Sequence, residues 1–303
     1  MREEFKGCFS VKLKKLLSEA RKVSNLKNEL NLFKEFMLNS RKLIMTYSGP
    51  YSSPARYATL TLTSLTSKEV RFLEPEELMY YVAPYDEERE AEVVIFSSVD
   101  GLTTLNLLVD QLLWTKHNLL VITQKDLTDE LKYKLSGSLV VNLNTDAWVL
   151  TTHLLVGLAV AEVRAEGFLR SDRLRSEFSN LSEELIKDLI TVYEPTIKEL
   201  RKFLEKPALV TATPSMWGVA EELTYNLPNT YLTNVDSIFK MVDKLNRVFL
   251  ITTDVEEFAV KPVKALSITR NAEVFTLNIR TDPLTAPIYA LILTHYLLDL
   301  INC

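Results

Sequence analysis

Two turns crowded with hydroxyls are the residues of this chain best suited to chemistry. Ser48-Gly49-Pro50-Tyr51-Ser52-Ser53 follows an apolar run over residues 42–47, and Ser97-Ser98-Val99-Asp100-Gly101 follows another over residues 92–96. A helical pattern comes after each turn. The first N–H groups of a helix lack backbone partners and carry partial positive charge; with Ser and Thr hydroxyls beside them they hold an oxyanion such as a phosphate without a metal. The same residue types also serve as plain helix caps, a role open to Ser53, Ser98 and Asp100. The surrounding elements must decide between a cradle and a set of caps.

The composition narrows the field. A chain of 303 residues, 47% hydrophobic and 25% charged, has length enough for two ordinary domains with real cores. Its net charge of −5 supplies no positive field for nucleic acid, so an anionic ligand must be held by local dipoles and single basic residues. Cys8 and Cys303 are the only cysteines, which excludes a disulfide framework and a cysteine zinc site. His117, His153 and His295 are too scattered to form a ligand pair on one helix, and neither a metal nor a cofactor is expected. The seven glycines spell neither GxGxxG nor GxxxxGK[ST], which argues against a dinucleotide or a nucleoside triphosphate. Residues 1–36 mix acids with bases and contain no unbroken apolar stretch, so they do not read as a secretory signal and the cytoplasm is the expected location. The long apolar runs at 148–163 and 284–298 are interrupted by His, Thr and Pro and are shorter than the ~20 residues of a membrane span. Both read as buried helices.

The pattern along the chain is one of alternation. Leu13, Leu16, Leu17, Ala20 and Val23, then Leu30, Phe33 and Met37, recur at helical spacing. From residue 42 strands at 43–47, 69–73, 93–96 and 119–123 alternate with helices at 55–65 and 103–115, and Glu87–Arg89 belongs to a polar connection. Such alternation predicts a parallel sheet covered on both faces. The second half repeats the scheme: 207–215 parallels the run into Ser53, 247–254 parallels 93–100, and 273–278 parallels 118–123. Helices at 148–163 and 287–301 close the two copies. Between them, residues 164–206 carry charge at helical spacing and an apolar stripe of Leu174, Phe178, Leu181, Leu185, Leu189 and Val192 before Pro195, which predicts a helical connection. The expected fold is therefore α/β, with domains at 1–163 and 207–303 joined by 164–206. In doubly wound sheets ligands bind at the carboxyl ends of strands, where both hydroxyl turns fall.

Three stretches carry a resemblance to a known family. Ser48 to Ser53 stands where the sugar isomerase (SIS) family has an SGxGGS turn, Ser215-Met216-Trp217-Gly218-Val219-Ala220 matches an SMxGVA segment, and Asp282-Pro283-Leu284-Thr285-Ala286-Pro287-Ile288 is similar to an NPLxxPRI segment. The chain most resembles the two-domain archaeal bifunctional phosphoglucose/phosphomannose isomerases. The resemblance implies two tandem flavodoxin-like SIS domains, aldose–ketose isomerisation of hexose 6-phosphates, and a homodimer. It also implies phosphosugar contacts at Gly49, Ser52, Ser53, Ser97, Ser98 and Thr103. Departures are concrete: Tyr51 replaces a glycine, Val99 and Gly101 stand where Gly and Thr are expected, and the position of the family's catalytic Glu falls at Asn229. Residues 235–240 contain no histidine for ring opening. Glu221, Glu222 and His295 are the fallback candidates for acid–base work, against the bland alternatives of a solvated helix start and a core histidine. His117 reads as exposed and His153 as buried with a hydrogen-bond partner. Two functions follow: an isomerase, or a phosphosugar sensor or silent partner subunit that binds without turnover. Nucleic acid and membrane are not expected partners.

Overall fold

The computed structural model describes residues 27–86, 91–163, 169–179 and 181–302. These residues form two compact units, 27–179 and 181–302. The leucine stripe at 13–23, Glu87–Arg89, Cys8 and Cys303 lie outside the described residues.

The first unit runs α1 (Lys27–Asn39), β1 (Lys42–Ser48), α2 (Ser53–Leu65), β2 (Glu69–Phe72), β3 (Ala91–Ser97), α3 (Leu102–Trp114), β4 (Leu119–Thr123), α4 (Asp129–Lys134), β5 (Leu139–Asn142), α5 (Trp148–Val163) and α6 (Leu169–Ser179). All five strands are parallel, in the order β2-β1-β3-β4-β5. The unbroken apolar runs of β3 and β4 are buried throughout their centres, as strands covered on both faces must be. Ile44, Val93, Ile95 and Val121 form one face of the sheet and pack with Leu105, Leu108, Val109 and Leu112 of α3. α5 is buried from Trp148 to Ala161 and packs with α1, α2 and α6. A helix apolar all round belongs inside a protein.

The second unit runs α7 (Glu183–Phe203), β6 (Ala208–Ala212), α8 (Trp217–Asn226), β7 (Thr230–Leu232), β8 (Arg247–Thr253), α9 (Glu257–Lys264), β9 (Glu273–Ile279) and α10 (Ala286–Asn302). Its strands are also parallel, in the order β7-β6-β8-β9. That is the order of the first four strands of the other sheet. α10 packs with α7 and α8.

Several elements differ from expectation. The helix expected at 55–65 begins at Ser53, and the strand expected at 69–73 ends at Phe72. β5 and β7 are edge strands of four and three residues, too short for a periodic signal. Pro195 lies inside α7. The stripe traced through 174–192 crosses from one helix to another: Leu174 and Phe178 are buried on α6, whereas Val192 is 71% exposed. On α7 the buried face is Ile186, Ile190, Ile197 and Leu200. Among the described residues no helix is long and apolar enough to cross a membrane, and no His, Cys, Asp and Glu side chains cluster in a way that holds a metal.

Candidate functional site

β1 and β3 are neighbours although β2 intervenes in sequence, so the strand order reverses between them. This is the switch point of a doubly wound sheet, where two loops diverge and leave a crevice. The loops are the two hydroxyl turns. Ser48 pairs with Ser97, and Ser97 with Thr123, which sets three hydroxyls in a row across the carboxyl ends of β1, β3 and β4.

The turns are tied to each other. Ser48 Oγ lies 3.2 Å from Ser97 Oγ and donates to the Gly101 carbonyl at 2.6 Å. The Ser98 N–H and hydroxyl both donate to the Ser48 carbonyl, at 3.1 and 3.3 Å. Gly49, at φ +103°, and Gly101 permit this approach: a Cβ on Gly49 would sit 2.0 Å from Ser98 Oγ, and one on Gly101 2.3 Å from the Ser48 carbonyl. Ser97 and Ser98 thus hold loop to loop, while Ser52 and Ser53 start α2 and Thr103 lies exposed on the first turn of α3. Neither Ser52 nor Ser98 makes a side-chain capping bond at the helical segment it precedes, so capping does not account for them.

A basic residue that the sequence reading missed stands at the rim. Arg56, one turn into α2, donates from Nε to Ser52 Oγ at 2.9 Å and lies over the Phe72 ring, 4.2 Å from its centroid. Its guanidinium pairs with Glu74 at 3.0 Å, and Glu74 also accepts from the Tyr47 hydroxyl at 2.6 Å. The spacing of Ser52 and Arg56, one helical turn apart, was the available signal.

The three acid–base candidates sit in the second unit. Glu221 and Glu222 are buried, at 5% and 6% exposure, which overturns the solvated helix start as their explanation. Glu221 accepts from the Trp217 indole at 2.8 Å. Glu222 faces α10, where its Oε1 lies 3.8 Å from His295 Nε2. Burial, with the neighbouring Glu221 charge, pushes the Glu222 carboxyl up to about 7, and burial pulls the His295 imidazole down to about 4. Near neutrality the pair is therefore a carboxyl close to its midpoint beside a neutral imidazole, and not an ion pair. His295 Nε2 has no hydrogen-bond partner among the described residues, although its side chain is 20% exposed.

The other histidines are structural. His117 was expected at the surface, yet it is buried and held between Thr115 Oγ1 at 2.8 Å and Asp86 at 3.1 Å. Bonds to both ring nitrogens make that burial tolerable. His153 is buried as expected, with Nδ1 2.7 Å from the Val149 carbonyl and its ring stacked on Tyr57; burial pulls it down to about 3.

No family profile matches the sequence, and no curated protein is similar to it. Solved structures share its fold. A protein from Silicibacter pomeroyi assigned as a phosphosugar isomerase aligns with a TM-score of 0.65 at 13% identity, over 96% of this chain and 93% of that one. The C-terminal domain of glucosamine-fructose-6-phosphate aminotransferase from Francisella tularensis gives 0.63 at 11%, over 96% and 95%. Tagatose-6-phosphate ketose/aldose isomerase from Escherichia coli gives 0.58 at 12%, over 96% and 91%. At such identities the likeness establishes a shared fold of parallel sheets flanked by helices.

Proposed function

We propose that this chain binds a sugar phosphate of the hexose 6-phosphate class at the switch-point end of its five-stranded unit. The observation that carries the reading is the juxtaposition of two uncapped hydroxyl turns at the strand-order reversal, with Arg56 bonded to Ser52 at their rim. In this reading the backbone at Gly49, Ser52 and Ser53 and the start of α2 receive the phosphate. Arg56 exchanges Glu74 for the ligand, and Thr103 adds a hydroxyl from the facing turn. Ser97 and Ser98 keep the two loops in register. The names of the aligned structures, which concern sugar phosphates, support this class of ligand. Kinship with the phosphoglucose/phosphomannose isomerases and a homodimeric state belong to the same proposal.

Calorimetric titration with glucose 6-phosphate and fructose 6-phosphate, against glucose and fructose, tests it. Binding that requires the phosphate, and that weakens roughly 10-fold in Arg56→Ala through loss of a charge-assisted hydrogen bond, is the expected result. Absence of binding at millimolar ligand rejects the reading.

Glu222 facing His295 favours a second reading in which the four-stranded unit carries acid–base chemistry of its own. A carboxyl near 7 exchanges protons with substrate at neutral pH better than an ordinary glutamate. A coupled assay converting fructose 6-phosphate separates the two. Turnover that falls 10²-fold or more in both Glu222→Gln and His295→Ala supports catalysis by the pair; binding without turnover leaves a sensor or a partner subunit.

A further inference from the structure

The two units build the same turn at the same place with one decisive difference. After β3, Val99–Gly101 forms a 3-10 turn leading directly into α3; after β8, Asp254–Glu256 forms a 3-10 turn leading directly into α9. The third residue is glycine in one and glutamate in the other. In the first unit Ser48, at the end of β1, donates to the Gly101 carbonyl. In the second the Glu256 side chain reaches across to the loop after β6 instead. Its Oε2 accepts from Thr213 Oγ1 and Ser215 Oγ, both at 2.5 Å, and from Thr253 Oγ1 at 3.3 Å, while Oε1 accepts from the Ser215 N–H at 3.2 Å.

Four donors thus converge on one oxyanion. Thr213, Ser215 and Thr253 are at most 3% exposed and Glu256 itself is half-buried, so the donors lie inside the loop cluster and the carboxylate enters them from its edge. Among the described residues no Lys, Arg or His lies within ion-pair reach of Glu256, which leaves neutral dipoles to hold the charge. A carboxylate held by hydroxyls and a backbone N–H at a strand end uses the chemistry by which such loops hold a phosphate.

We propose that Glu256 is a built-in occupant of the oxyanion seat in the four-stranded unit. It satisfies the donors of Thr213, Ser215 and Thr253 and closes that strand end to external ligands. Replacing it with glycine, the residue of the other unit, opens the seat to a tetrahedral oxyanion. The two strand ends thereby differ by construction: the loop after β6 is held by the Glu256 carboxylate, whereas the corresponding turn position of the other unit is Gly101.

The test is the stoichiometry of inorganic phosphate bound to the full chain, by equilibrium dialysis, in wild type and Glu256→Gly. The variant binds one more phosphate per chain than wild type, and the gain disappears when Thr213→Val and Ser215→Ala are added. Equal numbers in wild type and Glu256→Gly overturn the proposal. If Glu256→Gly is too unstable for dialysis, its melting temperature decides: recovery with phosphate but not with chloride at matched ionic strength supports the seat, and no selective recovery overturns it. The outcome is independent of ligand binding in the other unit. A rise of one sustains this inference whatever the calorimetric titration with hexose 6-phosphates shows; one in both proteins overturns it and leaves the sugar-phosphate site standing.

Discussion

Glu222 is the residue whose chemistry the fold changes most. Its carboxyl, near 4.5 in an unfolded chain, stands at about 7 in the folded one because burial disfavours its charge. Stability from this group is therefore complete below pH 4.5 and is lost as pH rises through 7, by an amount on the order of 3 kcal/mol. His295 acts in the opposite sense: it is held neutral, and its contribution is present above pH 6.5 and lost as pH falls through about 4. Urea denaturation at pH 5 and pH 8 checks the first effect. Relative to Glu222→Gln, which cannot ionise, wild type is expected to lose stability across that interval, while the gain from His295 and His153, both held neutral by burial, is common to the two proteins. The type and approximate position of these residues were legible in the sequence, since Glu221, Glu222 and His295 stand out as acid–base groups. That Glu222 and not Glu221 meets His295 was not legible, because it depends on how α8 and α10 are rotated against each other. The setting of Arg56 was not legible for a related reason: its platform Phe72 ends β2 and its partner Glu74 follows that strand, both distant from Arg56 along the chain.

At the scale of elements, the loops at the switch point are held by close backbone approach, and this makes them fragile to added atoms. Gly101→Ala would drive a methyl to within 2.3 Å of the Ser48 carbonyl, so one loop must move. The expected cost is roughly 2–4 kcal/mol in chemical denaturation, together with weaker sugar-phosphate binding. α7 offers the opposite case. Pro195 is exposed and sits in the helix interior, where it removes one hydrogen bond. Pro195→Ala is expected to raise stability by about 1–3 kcal/mol, read as a higher urea midpoint at unchanged slope. The long elements were readable because burial on both faces writes an unbroken apolar run, as in β3, β4 and α5. β5 and β7 were not, since so few residues at a sheet edge carry little pattern of their own; β2, equally short, was legible only from its place in the alternation. Nor did the apolar stripe through 174–192 reveal a change of helix. A period of 3.6 persists across a short break, while the face it marks does not.

For the whole molecule, the net charge of −5 means that any phosphate is recognised locally and not through a positive field. Hexose 6-phosphate at 100 times its dissociation constant is expected to stabilise the chain by about 2.7 kcal/mol, seen as a rise in melting temperature. A heparin column at ordinary salt is expected not to retain it; retention would point to a polyanion surface that the composition does not foresee. The sequence by itself determined the class of architecture and the two hydroxyl turns, because alternation, apolar runs and turn chemistry are local signals. Tertiary structure alone decided what those turns face. Strand order set Ser48 beside Ser97, helix packing set Glu222 against His295, and the Glu256 side chain reached the loop after β6 where, in the other unit, the Ser48 backbone closes directly on Gly101. Each of these is a contact between segments distant along the chain, and local patterning carries no record of which partner a residue will meet.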